Sequence, residues 1–403
     1  MIHHISELKN LEAISMNIHI NTPEGTRDRL FSECLERRQV QSALVELFRR
    51  RGYTEVITPE VEFYDLFVQS GNPIPQESML KIIDRSGKIM VMRPDCTAPI
   101  ARVAATKLKN LALPQRLYYD QTVFRDRLAH AGGSREIAQC GVEMIGAVGD
   151  KADLEMVAMA VDALRACGLA QFHIELGHAG FYRALAGRMN MPQEALERLR
   201  SAIEGKNFAL LNDLLEPYRG ADACAALRRL PYLFGGVEVL DEAQALAGPC
   251  GSLDHLRRLH SELSAAGYGD RVRFDLGLVH QLDYYTGLVF RGYAEGAGAP
   301  VLSGGRYDGL MEQFGRQAEA IGFAVDVDAV GACLTVETPE LETVIHYGPG
   351  LLAKALAVVD SRPAGSCELS PCRTLDSTVN LAREKGARQV LLLDGGEERW
   401  LAV

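Results

Sequence analysis

Four widely separated segments carry side chains able to read one small zwitterion between them. Asp95 and Thr97, in Arg93-Pro-Asp-Cys-Thr97, offer a carboxylate for an ammonium and a hydroxyl beside it. Arg125 closes Val123-Phe-Arg125 on one extended segment, and Gln139-Cys-Gly-Val-Glu143 lies on the next. Strand periodicity puts Gln139, Gly141 and Glu143 on one face, so an amide and a carboxylate point the same way with a glycine leaving room between them. Tyr284 and Tyr285, then Tyr307 within Ser303-Gly-Gly-Arg-Tyr307-Asp-Gly309, add aromatic rings among glycines and acids. A tyrosine beside a carboxylate suits an imidazole: the ring gives a flat apolar wall, while Glu143 and a phenol can meet both ring nitrogens.

Taken singly, each segment reads as ordinary structure. Tyr284 and Tyr285 would be one core and one surface strand residue. Gln139 and Glu143 would be a solvated strand face, and Gly304-Gly305 a turn. Only their order and spacing together favour a ligand site.

These residues need a sheet to bring them together. A helical pattern runs from Leu30 to Phe48 and closes at Gly52; Glu55–Glu62 is extended and carries Pro59, which belongs at a sheet edge or bulge. Met79–Asp84 and Ile89–Arg93 form a hairpin, and Leu117–Arg125 with Glu136–Ile145 form a longer pair around a loop containing Gly132 and Gly133. A helix from Ala152 to Gly168 precedes a strand at Phe172–Leu176. Strands return at Val272–Val279, Tyr284–Ala294 and Val301–Leu302, and Ile321–Val327 is a strand leading into a helix. This predicts an α+β protein with an antiparallel sheet flanked by helices. Residues 1–21 form an extension, 22–178 and 271–335 the core, 179–270 a helical insertion, and 340–403 a small α/β tail with helices Leu351–Asp360 and Leu375–Lys385 and strands Ser366–Leu369 and Gln389–Leu393.

At 403 residues, 47% hydrophobic and 24% charged, the chain has the make-up of a globular protein with a core of its own. A net charge of −10 argues against a broad nucleic-acid surface. No apolar run approaches the roughly 20 residues that span a bilayer, and the N-terminus lacks a secretory pattern, so a cytoplasmic protein without membrane attachment is expected. Nine cysteines without a Cys-x-x-Cys pair, several inside apolar helical patterns such as Cys34 and Cys167, read as reduced core thiols. Neither Cys367 with Cys372 nor His255 with His260 completes a metal site, and no cofactor is expected.

The order and spacing of these segments resemble the core of class II aminoacyl-tRNA synthetases, specifically histidyl-tRNA synthetase, over about residues 22 to 330. Pro59 stands where that class has its interface proline, which implies a symmetric dimer. Phe124-Arg125 through Gly141-Val-Glu143 follows the second class motif. Leu278–Val289 and Ser303–Leu310 resemble the two histidine signatures.

Three positions depart from the synthetase pattern. His280 stands where the resemblance expects the arginine that faces carboxylate and α-phosphate, with Gln281 beside it in place of glycine. Arg127 replaces a glutamate that helps hold ATP. Ala329 occupies the place of an ATP-binding arginine. Losing one donor aimed at developing charge costs about two to three decades in rate, so several losses leave negligible adenylation. The amino-acid side is kept, with Asp95 shorter than the expected glutamate. A retained pocket without adenylation groups, an Arg-Pro-Asp-x-Thr-Ala segment and a short tail resemble the regulatory subunits of ATP phosphoribosyltransferase. That resemblance implies a hetero-oligomer with a short-form catalytic subunit, which supplies the catalytic residues for the first step of histidine biosynthesis, and L-histidine as feedback effector. It assigns histidine contacts to Asp95, Thr97, Arg125, Gln139, Glu143, Tyr284, Tyr285 and Tyr307. A divergent active histidyl-tRNA synthetase and a stand-alone histidine-binding accessory protein are the competing readings.

Overall fold

The computed structural model describes residues 21–69, 74–126, 134–279, 284–395 and 397–403. The sequence positions Arg127, Gly132, Gly133, His280, Gln281, Leu282 and Asp283, and the extension up to residue 20, lie outside them. The chain divides into two compact units, one running to Thr335 and one spanning Val336–Val403.

In chain order the strands of the first unit are β1 (Thr54–Glu55), β2 (Val61–Phe63), β3 (Lys81–Ile83), β4 (Ile89–Met92), β5 (Gln115–Phe124), β6 (Glu136–Ile145), β7 (Phe172–His178), β8 (Phe234–Gly235), β9 (Val272–Asp275), β10 (Leu288–Ala294), β11 (Leu302–Arg306) and β12 (Ala320–Asp326). Nine of them form one sheet in the order β1-β5-β6-β12-β11-β10-β7-β9-β8, and β2-β4-β3 form a small second sheet. From β5 to β7 every neighbouring pair is antiparallel. The expected antiparallel sheet with flanking helices is the architecture of this unit.

Both faces of the sheet are covered. On one, Val40, Leu44 and Phe48, spaced by four along the helix Ser32–Arg50, meet Val142, Met144 and Phe323 in the main core, which the helix Asp150–Ala166 also joins. On the other, Ile100 and Ala104 of the helix Thr97–Thr106 pack with Leu117, Tyr119, Ile145 and Tyr307. The first turn of the Ser32–Arg50 region departs from expectation: Leu30, Phe31, Leu35 and Cys34 are exposed, so the buried stripe starts only at Val40. Cys167 is buried, as its pattern suggests. The helical segment between β7 and β9 joins two parallel neighbours, which demand a crossover connection of this kind.

Three later strands shift from the expected bounds: β9 ends at Asp275 and not at Val279. β10 begins at Leu288, leaving Tyr284 and Tyr285 outside it, and β11 extends to Arg306, so Gly304 and Gly305 are strand residues and not a turn. The reason is crowding: a Cβ on Gly305 would lie 2.6 Å from the Tyr285 ring and 2.7 Å from the Leu288 carbonyl.

The second unit is a sheet of β13 (Thr343–Tyr347), β14 (Cys367–Leu369), β15 (Gln389–Asp394) and β16 (Glu397–Ala402) in the order β14-β13-β15-β16. The first three strands are parallel and β16 is antiparallel to β15. Helix Leu352–Asp360 packs through Ala355 on Ile345 and Leu391, and helix Leu375–Glu384 through Ala382 on Val344 and Val390, so the sheet is covered on both faces. β13 and β16 are additions to the sequence reading. β16 is mostly exposed and opens on Glu397, Glu398 and Arg399, which conceals it from a search for apolar runs. Among the described residues no helix is long and apolar enough to cross a membrane.

Candidate functional site

A cavity of about 130 Å³ opens on the face of the large sheet that carries the Thr97–Thr106 helix. That exceeds by several-fold the roughly 10–15 Å³ that admits one water molecule. Asp95, Thr97, Arg125, Gln139, Glu143, Tyr284, Tyr285 and Tyr307 all line it. The structure therefore brings together the eight side chains to which the resemblance assigns histidine contacts.

Glu143 is the buried acid of this cavity, only 2% exposed. Its Oε1 accepts the Thr97 hydroxyl at 2.8 Å, and its Oε2 accepts a short hydrogen bond from the Tyr307 hydroxyl. Burial pushes the carboxyl up to about 8, and nearby Asp95 adds to the rise; the hydroxyls of Tyr307 and Thr97 pull the other way but do not offset the loss of water. At neutral pH this group is a protonated carboxyl, able to donate to a ligand nitrogen or to give up its proton to one.

The aromatic wall is built from three rings. Tyr284 stacks on Tyr307 with centroids 5.4 Å apart and planes 19° from parallel, and meets Tyr285 edge-on at 5.2 Å and 77°. The phenols of Tyr284 and Tyr307 are held well above their ordinary pKa, first by burial and then by neighbouring acids, so both stay neutral donors.

Asp95 stands just before the Thr97–Thr106 helix and Arg125 just after β5. Asp95 Oδ1 accepts the Ala98 amide at 3.1 Å, fixing the carboxylate at the helix entrance. Arg125 Nε donates to the Pro94 carbonyl at 2.8 Å, tying the Arg93-Pro-Asp segment to the sheet. Arg93 is buried and donates to the Thr122 and Thr58 carbonyls at 2.8 and 2.7 Å, a structural role that anchors the start of the segment carrying Asp95 and Thr97.

Sequence reasoning missed part of the wall. Tyr119, Cys96, Gly322 and Phe323 also line the cavity. Tyr119 was within reach, because it pairs with Gly141 across β5 and β6 and paired residues share a face. The space beside Gly141 is consequently taken: a Cβ there would sit 2.6 Å from the Tyr119 oxygen and 2.5 Å from the Phe323 carbonyl. The glycine admits Tyr119 to the wall, and does not leave the gap anticipated between Gln139 and Glu143.

Of the positions where the synthetase pattern is broken, Ala329 lies among the described residues. It sits in the short helix Val327–Gly331 after β12, where its amide is capped by Asp326 Oδ1 at 3.0 Å and its methyl packs against the main core. Its neighbour Asp328 is paired with Arg29 at 2.7 Å.

The histidyl-tRNA synthetase family model matches residues 25–330. An ATP phosphoribosyltransferase regulatory subunit of Clostridium kluyveri is 42% identical over 316 residues, covering 76% of this chain and 80% of that protein. One from Clostridium novyi is 36% identical over 389 residues, covering 93% and 92%. Among solved structures, an ATP phosphoribosyltransferase regulatory subunit/histidyl-tRNA synthetase from Bacillus halodurans superposes with a TM-score of 0.82 at 30% identity, covering 93% of this chain and 98% of the other. A histidyl-tRNA synthetase from Nostoc reaches 0.75 at 20% identity over 96% of this chain and 97% of its own, a likeness of fold.

Proposed function

Because this chain belongs to the ATP phosphoribosyltransferase regulatory subunits, built on the histidyl-tRNA synthetase fold, we propose that it joins a short-form catalytic subunit and holds L-histidine as its effector. The chain is not itself the catalyst: phosphoribosyl transfer is carried out by residues of the partner, in the cytoplasm, without a metal or cofactor on this chain. The observation that carries the reading is the contrast between the two ends of the site. Eight side chains suited to an imidazole-bearing zwitterion share one cavity, while the place of a phosphate-gripping arginine holds the methyl of Ala329, turned into apolar packing.

The chemistry of the lining suggests one orientation for histidine. Its ring lies against the stacked Tyr284 and Tyr307, one ring nitrogen meets Glu143, and its ammonium meets the Asp95 side of the cavity. Arg125 takes the carboxylate. A self-associated form is supported by the exposed apolar side chains that flank Pro59 in sequence, Ile57, Val61 and Phe63.

The test is to mix the purified chain with its short-form catalytic partner and follow phosphoribosyl-ATP formation with and without histidine. Activity that requires both chains and is inhibited by histidine is expected. Glu143→Ala should weaken histidine binding measured by calorimetry on this chain alone. Unchanged affinity would remove the pocket assignment, and histidine-dependent pyrophosphate exchange at an enzymatic rate by the isolated chain would overturn the regulatory reading.

A further inference from the structure

We propose that Arg183, on the first helix of the insertion, is a positioning residue that holds the tyrosine wall of the ligand cavity in place without touching the ligand. The proposal rests on the histidine reading of that cavity for its ligand, and on geometry alone for its mechanism.

The residues Tyr284 to Gly287 lie ahead of β10 and have no ladder partners in the sheet. Backbone carbonyls in such a segment must find donors elsewhere. Three successive ones find them on a single helix, Ala179–Ala186. Arg183 Nη2 donates to the Tyr285 carbonyl at 2.6 Å, Arg183 Nη1 donates to the Thr286 carbonyl at 3.3 Å, and the Ala179 amide donates to the Gly287 carbonyl at 2.8 Å. The planar guanidinium reaches two neighbouring carbonyls at once, which an ammonium point charge cannot do with the same geometry.

From its other side the segment is gripped by β11 and the residues after it. The Thr286 amide donates to the Arg306 carbonyl at 2.7 Å, and the Thr286 hydroxyl donates to Asp308 at 2.7 Å. The Tyr285 ring rests over Gly305, where a side chain would collide with it. The tyrosine wall is thus clamped between the insertion and the sheet, and Arg183 is the side-chain part of the insertion's hold.

A second seam joins the same two bodies. Arg306, the residue before Tyr307, is paired with buried Asp153 at 2.6 Å; on the far side of Asp153 stands the His255 ring of the insertion at 3.1 Å, itself against His178 with centroids 5.3 Å apart. The insertion therefore reaches the backbone at Tyr285 to Gly287 directly and the side chain of Arg306, beside Tyr307, through the Asp153 carboxylate. Arg183 is exposed and lies outside the cavity lining, so its removal tests the clamp without opening the core or deleting a ligand contact. By linkage, a ligand that fixes Tyr284 and Tyr285 tightens the insertion's hold in return.

The experiment compares wild type, Arg183→Ala and Arg183→Lys as full chains. Histidine affinity is read by calorimetry and local order by amide hydrogen exchange without ligand. The expected result is affinity weakened about fivefold in Arg183→Ala, the fold-change of one net hydrogen bond, with partial recovery in Arg183→Lys. Exchange should speed up over residues 284–289 and 179–186 while β5 and β6 stay as in wild type. A general loss of structure would move β5 and β6 as well and would overturn the positioning role. Wild-type affinity in Arg183→Ala overturns it too. Should wild type itself bind no histidine, the ligand reading falls by itself. The exchange data then decide the clamp: faster exchange confined to 284–289 and 179–186 supports it, and unchanged exchange sinks it.

Discussion

Glu143 and Gly322 sit opposite each other across the β6–β12 pairing, and the carboxylate of Glu143 occupies the very space that a side chain on residue 322 would need. The buried acid of the cavity thus exists in its present rotamer only because its cross-strand neighbour has no Cβ.

Gly322→Ala should displace the carboxylate from Thr97 and Tyr307 and overpack the sheet. A loss of about 1–3 kcal/mol of stability is expected, together with loss of histidine binding. Thermal unfolding and calorimetry on one preparation check both. Binding at wild-type strength would show that Glu143 does not need its present position.

Histidine affinity should be bell-shaped in pH. Free Glu143 titrates at about 8 and a free imidazole near 6.5, so between these values the acid and the ring hold one proton between them, which is what a hydrogen bond across the pair requires. Below about 6.5 both carry a proton, and above about 8 neither does, so affinity drops by up to about a decade per pH unit on either side. Titrations from acid to alkaline buffers should show the alkaline limb in wild type and its loss in Glu143→Gln.

Stability should carry two opposing pH signatures. Glu143 titrates at about 8 when folded and near 4.3 when unfolded, so the folded state alone holds the proton between those values. Its contribution is complete below about 4.3 and disappears as pH rises through 8, at about 1.4 kcal/mol per pH unit. His178 has the reverse sign. Burial, then the His255 ring, pulls it down to about 4, against an unfolded value near 6.5. Its contribution is complete above about 6.5 and is lost as pH falls to 4. Denaturant unfolding across pH should show the first slope removed by Glu143→Gln and the second by His178→Asn.

Asp153→Ala should cost about 3–5 kcal/mol, because it removes the buried partner of Arg306 and leaves its charge only partly compensated. Asp153 is 2% exposed and Arg306 7%. The two remaining acids near Arg306, Asp308 at 3.3 Å and Glu319 at 2.9 Å, are more exposed and cannot restore the pair. A change within 1 kcal/mol in chemical denaturation would contradict this ranking.

Much of this site was legible from the chain alone because strand alternation is a local rule. Gln139, Gly141 and Glu143 share a face at spacings of two and four residues, and the pair Gln115–Phe124 with Glu136–Ile145 is legible at nearly its true bounds. Tyr284 and Tyr285 were found as residues but misplaced as elements. Their aromatic character reads as strand, yet the Tyr285 carbonyl is taken by Arg183 and both rings line the cavity, leaving the ladder to start at Leu288. β16 went unseen because an edge strand need bury almost nothing, and its charges read as loop.

The sequence by itself determined which chemistry this protein can offer a ligand: an acid, tyrosines, a hydroxyl and an arginine in a fixed order, with alanine in the place of a phosphate-holding arginine. Side-chain identity is a property of the chain, and so is the periodicity that assigns a face. Only the tertiary structure decided that Glu143 is a neutral acid near pH 7, that Gly141 admits Tyr119, that Gly322 admits Glu143, and that a helix of the insertion holds the tyrosine wall. Those properties depend on what lies across the sheet and on how much water is excluded, and both are set by residues far apart in the chain.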